Sequence, residues 1–168
     1  NSINIGKMLS SQGIDINIAP CLDLIHKGSD PIIGDRSFSS DPNIVFEFGA
    51  QMIRGLKETG VQSVIKHIPG HGRATEDSHK TLPIIDHDID LLKKTDFLPF
   101  KKIVEHLKDI DYLAMTAHVI YSKLDPKNPV THSKIVIDKI IRDFIGFKGQ
   151  LITDCLTMDA LSGSYYER

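Results

Sequence analysis

The sequence predicts a parallel α/β fold of the (β/α)8-barrel type, and three observations lead to that prediction. Strand-like apolar segments alternate with helical segments four times along the chain, which favours a parallel sheet with helices packed on it. Polar residues follow each predicted strand, where parallel α/β folds place their ligand sites. The chain has 168 residues, whereas a complete barrel needs about 250. We therefore expect one domain over residues 1–168 that supplies about half of a barrel.

The first half of the chain is predicted to hold two helices and two strands. A short amphipathic segment at the start precedes a predicted strand over residues 15–20. Asp41 and Pro42 are a typical helix start, an N-cap residue followed by a first-turn proline. Apolar residues then continue at helical spacing until Gly60 ends the helix. Residues 61–66 form the second predicted strand.

The second half continues the alternation after a long interruption. Residues 67–86 carry no periodicity, and a loop of about twenty residues in a compact domain is usually functional. A broken helical pattern follows over residues 91–107, and residues 111–117 form the third predicted strand. A helix with apolar residues over 136–144 leads to the fourth predicted strand at residues 151–153.

Composition restricts the classes of partner. The net charge is −2 and no basic block occurs, which argues against nucleic acid and acidic membranes as partners. No apolar run approaches the roughly 18–20 residues that a membrane span needs. The two cysteines, Cys21 and Cys155, form no disulfide framework, so we expect a cytoplasmic protein. The chain begins without a methionine or a signal peptide, and we expect it to be a piece of a longer protein.

The densest cluster of reactive side chains lies in residues 66–79, where three histidines, one lysine and one aspartate occur within 14 residues. His67, His71, His79 and Asp77 have the residue types of a metal site. Alternatively, Asp77 orients the imidazole of His79 for proton transfer. A solvated loop with surface histidines is the third interpretation, and the residues alone leave all three open.

Asp154 is the second candidate for chemistry, because it directly follows the fourth predicted strand. A carboxylate there can act as a nucleophile towards the anomeric carbon of a sugar. It is equally suited to cap a short helix that starts near Leu156. The other predicted strands end in further polar residues, namely Asp23, Lys66, His67 and His118.

Five segments together resemble a known family. The run Lys-His-Ile-Pro-Gly-His-Gly at 66–72, followed by Asp-Ser-His at 77–79, closely resembles the signature of family 3 glycoside hydrolases. It is most similar to the bacterial β-N-acetylglucosaminidase branch. Four other segments match that family in order, at residues 13–23, 33–38, 115–118 and 153–158. The resemblance covers essentially the whole chain and implies the middle four β/α units of the family's N-terminal barrel domain.

The resemblance also implies a role for each matching residue. Asp154 would be the catalytic nucleophile, His79 the general acid/base and Asp77 the partner that orients His79. The residues that would bind or line the sugar site are Arg36, Lys66, His67, Asp23 and His118.

The implied reaction is the retaining hydrolysis of terminal non-reducing N-acetylglucosamine from cell-wall muropeptides, through a covalent glycosyl–enzyme intermediate and without a cofactor or metal. Another family 3 activity, such as β-glucosidase, is disfavoured because the Asp-x-His pair marks the hexosaminidase branch. A truncated, non-catalytic half-barrel is the other alternative, and a metal hydrolase using His67, His71 and His79 is a remote one. A half-barrel is expected to need further barrel segments or to self-associate.

Overall fold

The computed structural model describes residues 2–28, 33–76, 82–157 and 161. The strands in chain order are β1 Ile16–Asn17, β2 Gln62–Ile68, β3 Ile84–Ile85, β4 Leu113–Thr116, β5 Ile120–Tyr121 and β6 Leu151–Thr153. The helices are α1 Ser2–Ser11, α2 Pro42–Lys57, α3 Ile89–Lys94, α4 Leu98–His106 and α5 Lys134–Val136, which continues as a π-helix over Ile137–Phe144.

The main sheet has four strands in the order β1-β2-β4-β6, and every neighbouring pair is parallel. Along the chain, at least one helix separates each strand of this sheet from the next strand of the same sheet. This is the order in which the wall of a (β/α)8 barrel is built. The prediction of a parallel α/β fold with four main strands is therefore confirmed.

A second, two-stranded parallel sheet pairs β3 with β5. The prediction that residues 67–86 form a loop throughout is wrong at both ends. Strand β2 continues through His67 and Ile68, and β3 occupies residues 84–85. A two-residue strand carries too few residues to show any alternation of polarity, which is why the pattern missed it.

Helix α2 forms as its sequence predicts. The Asp41 side chain accepts a hydrogen bond from the Asn43 amide at 2.7 Å, and Pro42 occupies the first turn. Gly60 has φ +78°, the left-handed conformation that ends helices. Among the described helices, none combines the length and the apolar character that crossing a membrane requires.

The two faces of the main sheet have different environments. Ile65 and Ala114 belong to the large core between the sheet and the helices. Val64, Leu113 and Met115 form a separate small cluster on the opposite face. On that face the edge strand β1 and the residue after it expose Ile16 at 48% and Ile18 at 46%. In a closed barrel this face is the interior.

Candidate active site

A buried carboxylate, Asp23, organises the carboxyl end of the main sheet. The residue is 1% exposed. Its Oδ2 accepts a bond from the ring Nδ1 of His67 at 2.6 Å and from the Cys21 thiol at 3.2 Å. The His67 amide also donates to Oδ2 at 3.2 Å, and the His71 amide donates to Oδ1 at 2.6 Å. One side chain thus joins the end of β1 to the end of β2.

The charge of Asp23 fixes the orientation of His67. Burial by itself would raise the pKa of Asp23, but the His67 ring and the His71 amide and ring oppose it and lower the pKa to about 2. An ionised carboxylate only accepts hydrogen bonds, so Nδ1 of His67 carries a proton. Burial also raises the pKa of the Cys21 thiol far above its ordinary value, so the thiol stays protonated and donates to Asp23.

The other ring nitrogen of His67 faces Asp154. Nε2 lies 3.7 Å from Oδ2 of Asp154, whose side chain is 27% exposed. The second oxygen of Asp154 accepts from the Cys155 amide at 2.7 Å. A helix cap would instead bond the amide two or three residues on. Asp154 therefore has one oxygen held by the backbone and one that faces His67 at the end of β6.

His118 holds the segment next to Asp154 in place. It is 1% exposed, and its Nε2 donates to the Cys155 carbonyl at 3.2 Å. Its Nδ1 accepts from the Thr131 hydroxyl at 2.7 Å. Burial lowers the pKa of His118, in agreement with a neutral ring. Thr131 was not predicted as a site residue, because no motif marks it.

The two expected sugar-binding cations lie on different elements. Lys66 is half-buried on β2, where it pairs in register with Met115 of β4. Its ammonium makes no hydrogen bond or ion pair with any residue in the described part of the chain. Arg36 is exposed and ends a single 3-10 turn that starts at Gly34. The Ser37 hydroxyl ties this turn to the Asp23 carbonyl at 2.6 Å.

The segment that follows β2 is packed tightly against the rest of the site. A Cβ atom on Gly72 would overlap the carbonyl oxygen of Leu24, so only glycine fits there. The Tyr121 hydroxyl donates to the Gly70 carbonyl. The expected acid/base His79 and its partner Asp77 lie outside the described residues, and their placement stays a prediction.

A second buried carboxylate, Asp96, fastens the same segment from the other side. Its Oδ2 accepts from Arg73 Nε at 2.6 Å and from the Thr95 hydroxyl at 2.7 Å. Its Oδ1 is 2.8 Å from His26 Nε2. Burial would raise the pKa of Asp96, but these partners hold it below its usual range. This group links the loops after β1 and β2, and it was not predicted from the sequence.

Three potential metal ligands meet in this site. The ligand atoms of Cys21, Asp23 and His67 all lie within 4.8 Å of one another. Thiolate, carboxylate and imidazole are the ligands that zinc prefers. This set differs from the histidine set of the sequence analysis. Of that set, His67 and His71 have ring centroids 5.7 Å apart, and His79 and Asp77 lie beyond the described residues.

Known proteins match this chain over nearly its whole length. The model of the "Glycosyl hydrolase family 3 N terminal domain" matches residues 2–167. The chain is 39% identical to the beta-hexosaminidase of Tolumonas auensis, over 95% of this chain and 47% of that protein. It is 36% identical to beta-hexosaminidase A of Pseudoalteromonas piscicida, over 94% of this chain and 28% of that protein. The chain thus spans less than half of each relative.

Solved structures agree with the sequence matches. The family 3 beta-N-acetylglucosaminidase from Paenibacillus sp. superposes with a TM-score of 0.90 at 37% identity, over 98% of this chain and 31% of that one. The beta-N-acetylglucosaminidase from Thermotoga maritima gives 0.83 at 41% identity, over 95% and 33%. These neighbours confirm the barrel-type α/β fold. Because the family model covers nearly every residue, this chain belongs to glycosyl hydrolase family 3, in its N-terminal domain.

Proposed function

We propose that the chain is the central part of the catalytic domain of a retaining β-N-acetylhexosaminidase. The observation that carries the proposal is the partly exposed Asp154 carboxylate at the end of a parallel strand, with His67 Nε2 at 3.7 Å. A retaining glycosidase needs an accessible carboxylate as its nucleophile. The similarity to beta-hexosaminidases supports the same reaction class.

In the first step, the free oxygen of Asp154 attacks the anomeric carbon while the bond from that carbon to the leaving oxygen breaks. The leaving oxygen takes a proton from His79, and a covalent glycosyl–enzyme forms. In the second step, water attacks the same carbon, gives a proton to neutral His79 and releases the Asp154 carboxylate. Asp77 orients the His79 ring and favours its protonated form. General acid–base help of this kind contributes typically 10²–10⁴ in rate.

The remaining site residues bind the sugar or hold the reacting groups in position. Lys66 and Arg36 bind sugar hydroxyls as hydrogen-bond donors, and the unpaired Lys66 ammonium of the described structure suits that role. His67 presents Nε2 towards the reacting oxygen of Asp154 because Asp23 holds its opposite nitrogen. Asp23 and His118 border the site and are buried. In this mechanism they act by holding His67 and the Asp154 segment in position.

The substrate proposed is terminal N-acetylglucosamine on cell-wall muropeptides, hydrolysed in the cytoplasm during peptidoglycan recycling. Two solved relatives are named beta-N-acetylglucosaminidases, which supports the sugar. Cys21 and Cys155 form no disulfide in the described part of the chain, which agrees with a reducing compartment. An aryl β-glucoside separates this proposal from the β-glucosidase alternative, because the hexosaminidase should prefer the aryl N-acetyl-β-glucosaminide.

Replacement of the nucleophile tests the proposal. Asp154→Asn in the chain at its native length should lower hydrolysis of an aryl N-acetyl-β-glucosaminide by more than ~10³-fold, as expected for the loss of a covalent nucleophile. Asp109→Asn, at an exposed position far along the chain from β6, is the matched control and should keep its activity. Activity of Asp154→Asn within tenfold of the parent would remove the nucleophile assignment.

A further inference from the structure

The cluster of Cys21, Asp23 and His67 combines three different metal-ligating atoms in one buried place. A thiolate, a carboxylate and an imidazole nitrogen match the ligands of Zn²⁺ and of the softer Cd²⁺. Zn²⁺ held by one thiolate and one carboxylate carries no net charge, which suits a buried position. In the metal-free protein the Cys21 thiol and the Nδ1 proton of His67 occupy this space.

Two of the three ligand separations are within about 0.7 Å of those that a bound cation requires, and the third, between Cys21 Sγ and His67 Nδ1, is below 4.8 Å. A tetrahedral zinc keeps its nitrogen, oxygen and sulfur ligands about 3.3 to 3.6 Å apart. Cys21 Sγ and Asp23 Oδ2 are already 3.2 Å apart. His67 Nδ1 is 2.6 Å from the same oxygen and must withdraw by about 0.7 Å. Asp23 stays anchored meanwhile, because its Oδ1 keeps the bond from the His71 amide.

We propose that Cys21, Asp23 and His67 form a binding site for a thiophilic divalent cation of the Zn²⁺ class. Binding forms bonds from the cation to Cys21 Sγ, Asp23 Oδ2 and His67 Nδ1. The Cys21 proton leaves to solvent, and the proton of a neutral His67 ring moves from Nδ1 to Nε2. A fourth position remains for water.

Cation binding at this site would affect the proposed reaction through the His67 ring. Coordination at Nδ1 fixes the ring proton at Nε2, the atom that faces Oδ2 of Asp154 at 3.7 Å. It also draws His67 away from its bond with Asp23. The Nε2–H group of His67 and the nearby cation then withdraw charge from Oδ2 of Asp154, which makes this oxygen a weaker nucleophile. The cation therefore inhibits reversibly; this consequence rests on the proposed function, whereas the binding site itself does not.

Direct binding of Cd²⁺ tests the site without any activity measurement. The test uses the Cys155→Ser protein at native length as its background, because the exposed Cys155 thiol could bind metal by itself. Titration should produce the ultraviolet charge-transfer band of a cadmium–thiolate bond, saturating at one ion per chain. Adding Cys21→Ser, which keeps a hydroxyl donor for Asp23, should remove the band and weaken Zn²⁺ binding by on the order of 100-fold.

Two further measurements complete the test. Zn²⁺ calorimetry in buffers of different protonation enthalpy should show about one proton released per ion, and affinity should rise with pH. Mg²⁺, which prefers oxygen ligands, should not bind at this site. Absence of the band in the background protein, or its persistence after Cys21→Ser, would overturn the site. If binding occurs as described but substrate turnover is absent without metal, the proposed function fails and the site stands.

Discussion

Asp23 and His67 are joined by a hydrogen bond of 2.6 Å between Oδ2 and Nδ1, and this pair sets the direction of the His67 ring. The two residues lie 44 positions apart in the sequence, Asp23 in the segment that follows β1 and His67 near the end of β2. Because the carboxylate is buried and ionised, the ring nitrogen that it does not hold faces Asp154. The nucleophile candidate is therefore connected through one imidazole to the core of the fold.

Loss of the expected acid/base should depend on the leaving group. His79→Ala should slow substrates with poor leaving groups by ~10²–10⁴-fold and activated aryl glycosides much less, because a good leaving group needs little protonation. Rates on a disaccharide and on a nitrophenyl N-acetyl-β-glucosaminide measure this difference. Equal losses on both substrates would mean that His79 binds or packs rather than transfers a proton.

Removal of the two cations should weaken sugar binding with the fold intact. Lys66→Ala deletes an ammonium without a partner among the described residues, and Arg36→Ala deletes an exposed guanidinium at the end of its turn. Each hydrogen bond to a charged group contributes about 1.5–3 kcal/mol, so affinity for N-acetylglucosamine should fall roughly ten- to hundredfold. Calorimetric titration measures affinity and circular dichroism checks the fold. Lys108→Ala, at an exposed position after α4, is the control, and unchanged affinity in the Lys66 and Arg36 variants would make those side chains surface groups.

The helix start at Asp41 and the strand ends around Asp23, Lys66 and His67 follow from the sequence because their causes are local. A cap and a first-turn proline define α2 within a few residues. Parallel strands bring their carboxyl ends together, so polar residues at those ends meet. Asp154 and His67 are one such pair, with 3.7 Å between Oδ2 and Nε2, whereas their roles in a reaction stay predictions.

The Asp96 group could not be predicted in this way. Its partners His26 and Arg73 are 70 and 23 residues away, and only Arg73 lies in a segment that a motif marks. A buried aspartate in the turn between two helices has the same sequence pattern as an exposed one. Cys21 was likewise counted only as a thiol, because its bond to Asp23 depends on the backbone path after β1.

The stability of the protein should fall in acid over the window set by His71. Burial lowers the pKa of His71 to about 4, although the charge of Asp23 opposes this, with smaller lowering effects from His67 and Arg36. Between pH 6.5 and 4, His71 is protonated in the unfolded chain but stays neutral in the native protein. The free energy of unfolding therefore decreases as pH falls. The loss is on the order of 3 kcal/mol, and above pH 6.5 this contribution is constant.

Urea unfolding across this pH range measures the effect. His71→Gln should flatten the slope between pH 6.5 and 4, whereas His106→Gln, at an exposed position on α4, should leave it unchanged. The ionised Asp23 contributes to stability in a different pH range. Its pKa is lowered to about 2, so its stabilising contribution is lost only as the pH falls below about 4. A slope that persists in His71→Gln would contradict the assignment to this imidazole.

Expressed by itself, the chain of residues 1–168 should self-associate and turn over substrate very slowly. Strands β1 and β6 each have one neighbour in the described sheet, so each leaves an edge of unpaired backbone groups. Ile16 and Ile18 are about half exposed on the face that becomes the interior of a closed barrel. Both features favour pairing with another copy. The curated relatives are more than twice as long, and supplying the segments that flank the matched region should restore a monomer and its activity.

Charged substitutions on the exposed apolar face distinguish self-association of residues 1–168 from poor folding. Ile16→Lys with Ile18→Lys should shift residues 1–168 towards the monomer in light scattering, because two charges on this face repel a second copy. The same pair should damage the longer protein, where these positions are enclosed by further strands and a buried charge is costly. Asp109→Asn, which leaves the face unchanged, should alter neither result. A soluble monomer of residues 1–168 with robust hexosaminidase turnover would contradict the half-barrel prediction, because the sheet would then be stable and catalytic with both edges open.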